Sequence, residues 1–600
     1  MLTNTPPDDG FPEDPNTILE ELARHCESYS VDRLPIVSAF CHKIGIAESI
    51  NGGIESKAEI DAGMVVTAMI LDTLSGRTPL YRFNEFFAHQ DSELLLGREI
   101  AADRFTDDVL GRALDRLHAA GTMKVFTEIS LKACRLFGVS IQQGHFDTTS
   151  VNVWGEYEGS VGGGPAPHIT YGFSKERRPD LKQFMFSLLC VEGNIPLLGK
   201  VEDGNAADSK LNNEHLERVA RLIAANKIDR DNFLYVADCK VVNKDNLELL
   251  GDNPFVTRLP ASYKVHAEVI DAALAADVWE AVGALNQTPA STRRPAAIYK
   301  VAEGQVELYG RSYRAIVVHS SNHDKRRQKR IDRQLEKARE NATKAVKAVG
   351  RETFSCEKDA RARLQKLQAA FAGELWCVSG ELETQKVYVS GKVAAGKQRE
   401  VRRVDFRLCL NVEENLELTT RFRKHAGCFV LLSNARSTET GEAVSTSQGG
   451  SHGTCQRCWS ASQVLQAYKE QHGVENNFSF LKEPLIVNDV FLKKPGRIDA
   501  LGLVLLLSLL VWSLMQRSLR KSVEQQPELR LTDLDHKPTK RPTAFIMVHK
   551  FLSVMILKMG THRRLVRPMR ADQLQYLRAL GLDPTIFTTP PGKHPTPMKT

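Results

Sequence analysis

The chain has 600 residues, 42% of them hydrophobic and 26% charged, with a formal net charge of +7. That length accommodates roughly three or four domains with sizeable cores, the composition is that of an ordinary soluble globular protein, and the basic balance points to a polyanionic partner. Eleven cysteines, odd in number and scattered, exclude a disulfide framework and predict a reduced, cytoplasmic setting.

The charge is uneven. The first thirty residues carry Asp8, Asp9, Glu13, Asp14, Glu20, Glu21 and Glu27 against Arg24 alone, whereas the C-terminal part holds Lys540, Arg541, Arg563, Arg564, Arg567 and Arg570. This asymmetry suits either a nucleic-acid contact near the C-terminus or a solvated basic tail. No cationic-then-apolar signal peptide opens the chain. The run Ala500–Met515 is nearly all apolar but short of a membrane span and closed by Asp499 and Gln516, so a helix buried in a large domain is expected.

In chain order, 1–14 reads as a disordered tail rich in Pro and Asp. Residues 15–138 read as a helical N-terminal domain, with helices over Thr17–Tyr29, Ala58–Ser75 and Thr106–His118. Both a helix-turn-helix reader of DNA ends and a plain bundle fit that pattern. From 139 to 260 the texture is α/β. Strands are predicted at Gln143–Trp154, His168–Phe173 (after a turn at Gly159–Gly164) and Gln183–Val191, followed by a helix over Asp208–Asn226. A short buried strand, Asn232–Asp238, then ends in an aspartate, and another runs over Pro254–Pro260. Three strands, a crossover helix and two more strands is the order of a ribonuclease-H-like sheet. Residues 261–460 read as an insertion with charged helices over 323–373 and strands at Lys386–Val393, Asp405–Val412 and Cys428–Ser433, closed by a loop over Asn434–Ser462. The core resumes over 461–520, and 521–600 is a basic C-terminal region.

The stretch Tyr468–Lys482 is predicted as one helix ending before Pro484. Taking Glu475 as zero, Tyr468 falls at about +20°, Gln471 at about −40° and Lys482 at about −20°, so a carboxylate, a phenol, an amide and a cation share one stripe. Asp147 sits mid-strand, and Asp238 closes a strand that is almost wholly apolar. Both are costly positions for a carboxylate unless it is paired or metal-bound. Phosphoryl transfer on DNA uses two hard cations on oxygen ligands, and Asp147, Asp238 and Glu475 together form a three-carboxylate set suited to them.

On these residues the chain resembles the DDE transposases of bacterial insertion sequences, in the cut-and-paste superfamily with a Tyr-x2-Arg-x3-Glu-x6-Lys motif. That motif stands here as Tyr468, Gln471, Glu475 and Lys482, with glutamine in place of the arginine. His145-Phe-Asp147-Thr-Thr-Ser and Tyr235-Val-Ala-Asp238 match the two aspartate blocks, and Tyr171–Gln183 and Gly204–Asp208 match further recurring blocks. The resemblance covers roughly residues 35–580 and is strongest over 143–260 and 463–515.

The resemblance implies a ribonuclease-H-like core with a large insertion before the glutamate helix. Two Mg²⁺ ions, replaceable by Mn²⁺, would be held by Asp147, Asp238 and Glu475. It implies DNA cleavage at terminal inverted repeats, then strand transfer into target DNA, by a homodimer on paired ends, with Tyr468 and Lys482 on backbone phosphates. Gln471 brings no charge to its phosphate contact. Gly473, a poor helix former, marks a helix start. Two other features stand apart. Cys455 and Cys458 with His452 make half a zinc site, with no second pair to complete it. The basic residues of 325–339 either track DNA or bridge subdomains. A transposase-derived DNA-binding protein without catalysis and a structure-specific nuclease are the rival readings.

Overall fold

A computed structural model describes residue 20 and residues 26–592, apart from 56, 158–163, 176, 227, 229–231, 286–295, 392–395, 438–457, 484–491 and 527. The expected tail 1–14, residues 17–19 and 21–25 of the first expected helix, most of the Gly159–Gly164 turn, much of the Asn434–Ser462 loop, and Cys455 with His452 lie outside the described residues. The protein is mixed α/β and divides into two units, residues 1–254 with 470–600, and residues 255–469.

The first unit begins with β1 (Glu27–Ser30), where a helix was expected. Seven helices follow: α1 (Leu34–Ile44), α2 (Ile46–Gly53), α3 (Ala62–Thr73), α4 (Phe83–Ala88), α5 (Ser92–Leu96), α6 (Asp107–Ala120) and α7 (Thr122–Phe137). Their starts are written in the sequence. Asp61 accepts from the Met64 N–H at 2.8 Å, Asp91 from that of Leu94, and Thr106 from that of Val109. Gly138, at φ 60°, ends α7 in the left-handed conformation and turns the chain toward the sheet.

The sheet of this unit holds β2 (Gln143–Val153), β3 (Lys182–Val191), β4 (Ile195–Glu202) and β5 (Leu234–Ala237), in the order β4-β3-β2-β5. The β2–β3 and β3–β4 pairs are antiparallel and β2–β5 is parallel. The helices α8 (Asp208–Ala225) and α9 (Lys244–Leu250) flank β5 in the chain. The expected strand at His168–Phe173 is corrected: only Thr170 bridges Gln183, and the third strand is Ile195–Glu202. Pro165 and Pro167 remove ladder donors just before it, while Gly172 lies so close to Gly204 that a Cβ would stand 2.1 Å from the Gly204 carbonyl oxygen.

The second unit carries β6 (Phe255–Arg258), α10 (Lys264–Ala276), β7 (Glu280–Ala284), β8 (Ile298–Leu308), β9 (Arg311–Ser320), α11 (Ser321–Val349), α12 (Glu357–Ala370), β10 (Trp376–Tyr388), β11 (Val401–Glu414), α13 (Leu416–His425), β12 (Cys428–Ser433) and α14 (Ala461–Glu470). Its main strands run β6-β12-β9-β8-β7, all antiparallel, and β10–β11 form a separate long hairpin. Val349, Ala360, Leu367, Val378 and Leu408 give that hairpin and its helices a small core of their own. The β8–β9 hairpin is regular structure in a stretch whose sequence shows no clear period.

Returning to the first unit, the chain forms α15 (His472–Leu481), α16 (Pro495–Gln525), α17 (Ala544–Lys550), β13 (Met555–Met559), β14 (His562–Leu565) and α18 (Ala571–Leu580). The sheet β1-β13-β14 joins the two ends of the described chain. Among the described residues α16 alone is long and apolar enough to cross a membrane, with mean hydropathy 2.3, and 94% of that apolar window is buried inside the protein. It packs on β4, α6 and α7, and glycines permit the close approach. A Cβ on Gly502 would stand 2.2 Å from Val201, and one on Gly199 would stand 2.8 Å from Leu506. Each fully buried Leu or Val along α16 contributes about 1.5–3 kcal/mol, which makes this helix the centre of the unit.

Candidate functional site

The β2–β5 pairing is parallel, with His145 beside Val236. Continued two residues, that register sets Asp147 beside Asp238, each at a point where its strand is still within the sheet or has just left it. The two aspartates line one small polar cavity with Phe146, Thr148, Lys175, Asn212 and Lys240. Asp147 accepts from the Thr148 N–H at 2.7 Å, and Asp238 accepts from the Cys239 N–H at 2.5 Å, capping the turn that follows β5. The Lys175 ammonium donates to the Thr148 carbonyl oxygen, so a cation from the 171–182 loop reaches the same cavity. Asn212 and Lys240 carry no pattern in the sequence that marks them, and Lys175 is marked only as part of the Tyr171–Gln183 block. Only the fold brings them to the aspartates.

Next to Asp147 the packing is aromatic and buried. The Phe146 and His215 rings stack at 3.8 Å, and Tyr235 lies 6.4 Å from each. His145 is buried with no partner for its Nδ1, and burial pulls its pKa down to about 4. Since this folded value lies below the usual 6.5, the unfolded chain takes the proton first. Stability is therefore lost as the pH falls from about 6.5 to about 4, at up to about 1.4 kcal/mol per pH unit for this group. Urea unfolding at pH 7 and pH 5 is expected to show a smaller acid loss in His145→Leu than in the parent chain.

Glu475 lies in the first turn of α15, and α15 packs beside β2 and the β3–β4 turn. Asn477 donates to the Asn194 carbonyl at 2.8 Å and to the Cys190 thiol at 3.2 Å, pinning the helix to that turn. Gly473 is the second residue of α15. A Cβ there would stand 1.7 Å from Asn194 Oδ1. The helix gain of Gly473→Ala is at most about 1 kcal/mol, against an overpacking cost of about 1–3 kcal/mol. A net loss of stability in denaturant unfolding is expected, relieved in the double variant with Asn194→Gly.

The Glu475 carboxylate is 66% exposed and accepts from His472 Nδ1 at 2.5 Å. It also complements the positive end of α15. Among the described residues no three His, Cys, Asp and Glu side chains are gathered closely enough to hold a metal ion. Asp147 and Asp238, with the Thr148 hydroxyl and the Asn212 amide in the same cavity, are a donor set suited to a hard dication that keeps several waters. Glu475 is not brought to them. The helix expected to run unbroken from Tyr468 to Lys482 is divided at Gln471, whose backbone stays in the helical region, into α14 with Tyr468 and α15 with Glu475. Lys482 is the C-cap of α15, and Gln471 stands at its N-cap position without a side-chain cap bond.

In the second unit, Tyr468 in α14 lies with its ring 6.4 Å from Phe429 of β12. The same Phe429 ring has the Arg258 guanidinium at 5.2 Å and the Lys469 ammonium at 5.2 Å, and Lys469 also lies 4.9 Å from the Tyr299 ring. Arg327 of α11 joins them. Burial first, then Arg258 and Arg330, lower its pKa. His323 is pushed down to about 4 by burial, then by Arg327, Arg258, Lys469 and Arg326, and His266 is lowered to about 4 by burial and then Arg258. Among the described residues no carboxylate pairs with Arg258, Arg327 or Lys469. Like charges held together on an aromatic floor without a counter-ion form a site for an anion such as a phosphate. Sequence reading passed over Arg258 and Lys469. The adjacency of Lys469 to Tyr468 was the available signal.

The fold and these sites define a mixed α/β protein whose first unit has a cavity lined by two aspartates and two lysines at a parallel strand pair and whose second unit has a cluster of cations. Residues 26–131, from β1 into α7, match the family model described as a domain of unknown function (DUF4277). A search of the curated proteins found no match.

Proposed function

We propose that the protein is a DDE-type DNA transposase, cutting DNA at the terminal inverted repeats of an insertion sequence and joining the freed ends to target DNA. The observation that carries this reading is that Asp147 and Asp238 line one polar cavity at the parallel β2–β5 pair. The strand order β4-β3-β2-β5, antiparallel except for β2–β5, is consistent with the first four strands of a ribonuclease-H-like sheet, and the charged helices and hairpins within 261–460 are consistent with the expected insertion.

In this reading Asp147 and Asp238 hold Mg²⁺, and Glu475 completes the set by turning from His472. The bound ions would supply an activated oxygen nucleophile and neutralise the leaving oxygen. Thr148 and Asn212 orient what enters the cavity, and Phe146, stacked on His215, forms its apolar side. Arg258, Arg327 and Lys469, with Tyr468, Gln471 and Lys482, take backbone phosphates, and the protein works as a homodimer on two DNA ends in the cytoplasm, at the nucleoid. The exposed setting of Glu475 favours one rival, a DNA-binding descendant without catalysis. The test is incubation of the protein and Mg²⁺ with DNA carrying the inverted repeats that flank its gene. End-specific cleavage followed by strand transfer is expected. Binding without cleavage supports the rival, and cleavage of branched DNA irrespective of sequence supports a structure-specific nuclease.

A further inference from the structure

Beside the aspartate cavity, the loop between β2 and β3 presents aromatic rings to solvent. Trp154 is 58% exposed, Tyr171 57% and Phe173 87%. Isolated exposed aromatics are common, but three along one connection, each costly to leave in water, mark it out. Cations are interleaved with them. The Arg178 guanidinium lies 5.4 Å from the Trp154 ring centre and the Lys182 ammonium 5.8 Å from that of Tyr171. From Tyr171 to Lys182 the sequence holds Lys175, Arg177, Arg178 and Lys182 against Glu176 and Asp180. Asp180 is committed to Arg178, at 2.9 and 2.7 Å, and so fixes the guanidinium over the indole.

The connection is tethered at its base. Gln183 donates to the Gly204 carbonyl at 2.6 Å, its N–H bonds Thr170 at 2.9 Å, and Gly172 fits against Gly204 with no room for a side chain. Lys175 ties the loop to β2, its N–H donating to Ser150 Oγ at 3.2 Å and its ammonium to the Thr148 carbonyl, at the mouth of the Asp147–Asp238 cavity. Exposed rings on a tethered loop, with cations beside two of them, suit the π-faces of bases that are not covered by stacking in a duplex, together with the phosphates linking them.

We infer that Trp154, Tyr171 and Phe173, with Arg178 and Lys182, form a stacking platform for unpaired nucleotides of the DNA strand that leaves the Asp147–Asp238 cavity. This rests on the reading of the protein as a DNA-processing enzyme and adds a strand-separated substrate to it. The platform holds bases splayed from the duplex next to the bond being cut.

The full-length chain is titrated against one fluorescein-labelled oligonucleotide in three forms: single strand, blunt duplex, and duplex with an unpaired 5′ overhang. Trp154→Ala with Phe173→Ala is expected to weaken the single strand and the overhang duplex by about tenfold or more, with the blunt duplex unchanged. Trp154→Phe, which keeps a ring, is expected to retain most of the affinity. Equal losses on all three DNAs, or no loss on any, overturns the platform while leaving DNA binding in place. If the parent chain binds none of the three, the DNA-processing reading falls and the platform with it. Because both side chains are largely in solvent, circular dichroism and melting of the double variant are expected to match the parent.

Discussion

Asp147→Asn and Asp238→Asn are each expected to lower DNA end cleavage by about three orders of magnitude. Both substitutions keep the shape of the side chain and remove its charge. A carboxylate that holds a catalytic dication commands several kcal/mol of transition-state stabilisation, and each 1.4 kcal/mol is about tenfold in rate. The structure argues that the loss falls on chemistry rather than on folding. An asparagine oxygen can still accept from the Thr148 or Cys239 N–H, as the carboxylates do, so each change costs the fold little. Lys175 and Lys240 line the same cavity and remain to meet an incoming phosphate. Retained binding of end DNA, an unchanged melting temperature and lost cleavage is therefore the expected pattern, measured by gel shift, thermal unfolding and cleavage of labelled ends. Glu475→Gln is expected to behave in the same way. Its carboxylate is exposed and bonded locally to His472, so a loss of cleavage there would fall on chemistry and not on a disturbed fold. Wild-type cleavage by either aspartate variant would sink the metal assignment.

The second large effect concerns the cation cluster. Changing Arg258, Arg327 and Lys469 together to glutamine removes three charges that have no carboxylate partner among the described residues. If each meets a DNA phosphate, the plot of log affinity against log salt becomes shallower by about 2 to 3, since each contact contributes about 0.9 to the slope. Affinity at low salt falls accordingly. The same variant should melt at a higher temperature in the absence of DNA, because Arg327 and Arg258 repel one another in a half-buried setting. Weaker DNA binding in a more stable protein is a signature that misfolding does not produce. An unchanged salt slope would remove the cluster from the DNA interface.

Much of the secondary structure was legible locally. Caps at Asp61 and Thr106, the apolar run of α16 and the β-rich Gln143–Val153 stretch all carry their physics within a few residues. The failures have a common origin. His168–Phe173 has strand-like residues, yet prolines and the tight Gly172–Gly204 packing leave it a single bridge. The Tyr468–Lys482 stretch has helical spacing throughout, but the chain crosses from one unit to the other at Lys469–Glu470, and the helix divides one residue later. A periodic pattern reports which face an isolated element would bury. It carries no record of which body the element joins.

The same division holds for the candidate site. A carboxylate inside an apolar strand is expensive, so Asp147 and Asp238 stood out in the sequence by themselves. The spacing of Tyr468, Gln471, Glu475 and Lys482 was equally plain. Tertiary structure alone decided which groups meet. The parallel β2–β5 pair brings the two aspartates to one cavity, and Lys175 arrives from a loop pinned by Gly204. Glu475 instead stays with His472, because Gly473 and Asn477 seat α15 on the Asn194 turn. Arg258, Arg327 and Lys469 come from a strand and two helices far apart in the chain; Arg258 and Lys469 meet over the Phe429 ring of β12, and Arg327 stands close enough to Arg258 to feel its charge. Desolvation cost is a property of one residue in its local sequence, and so can be read there. Convergence of charge is a property of the packed chain.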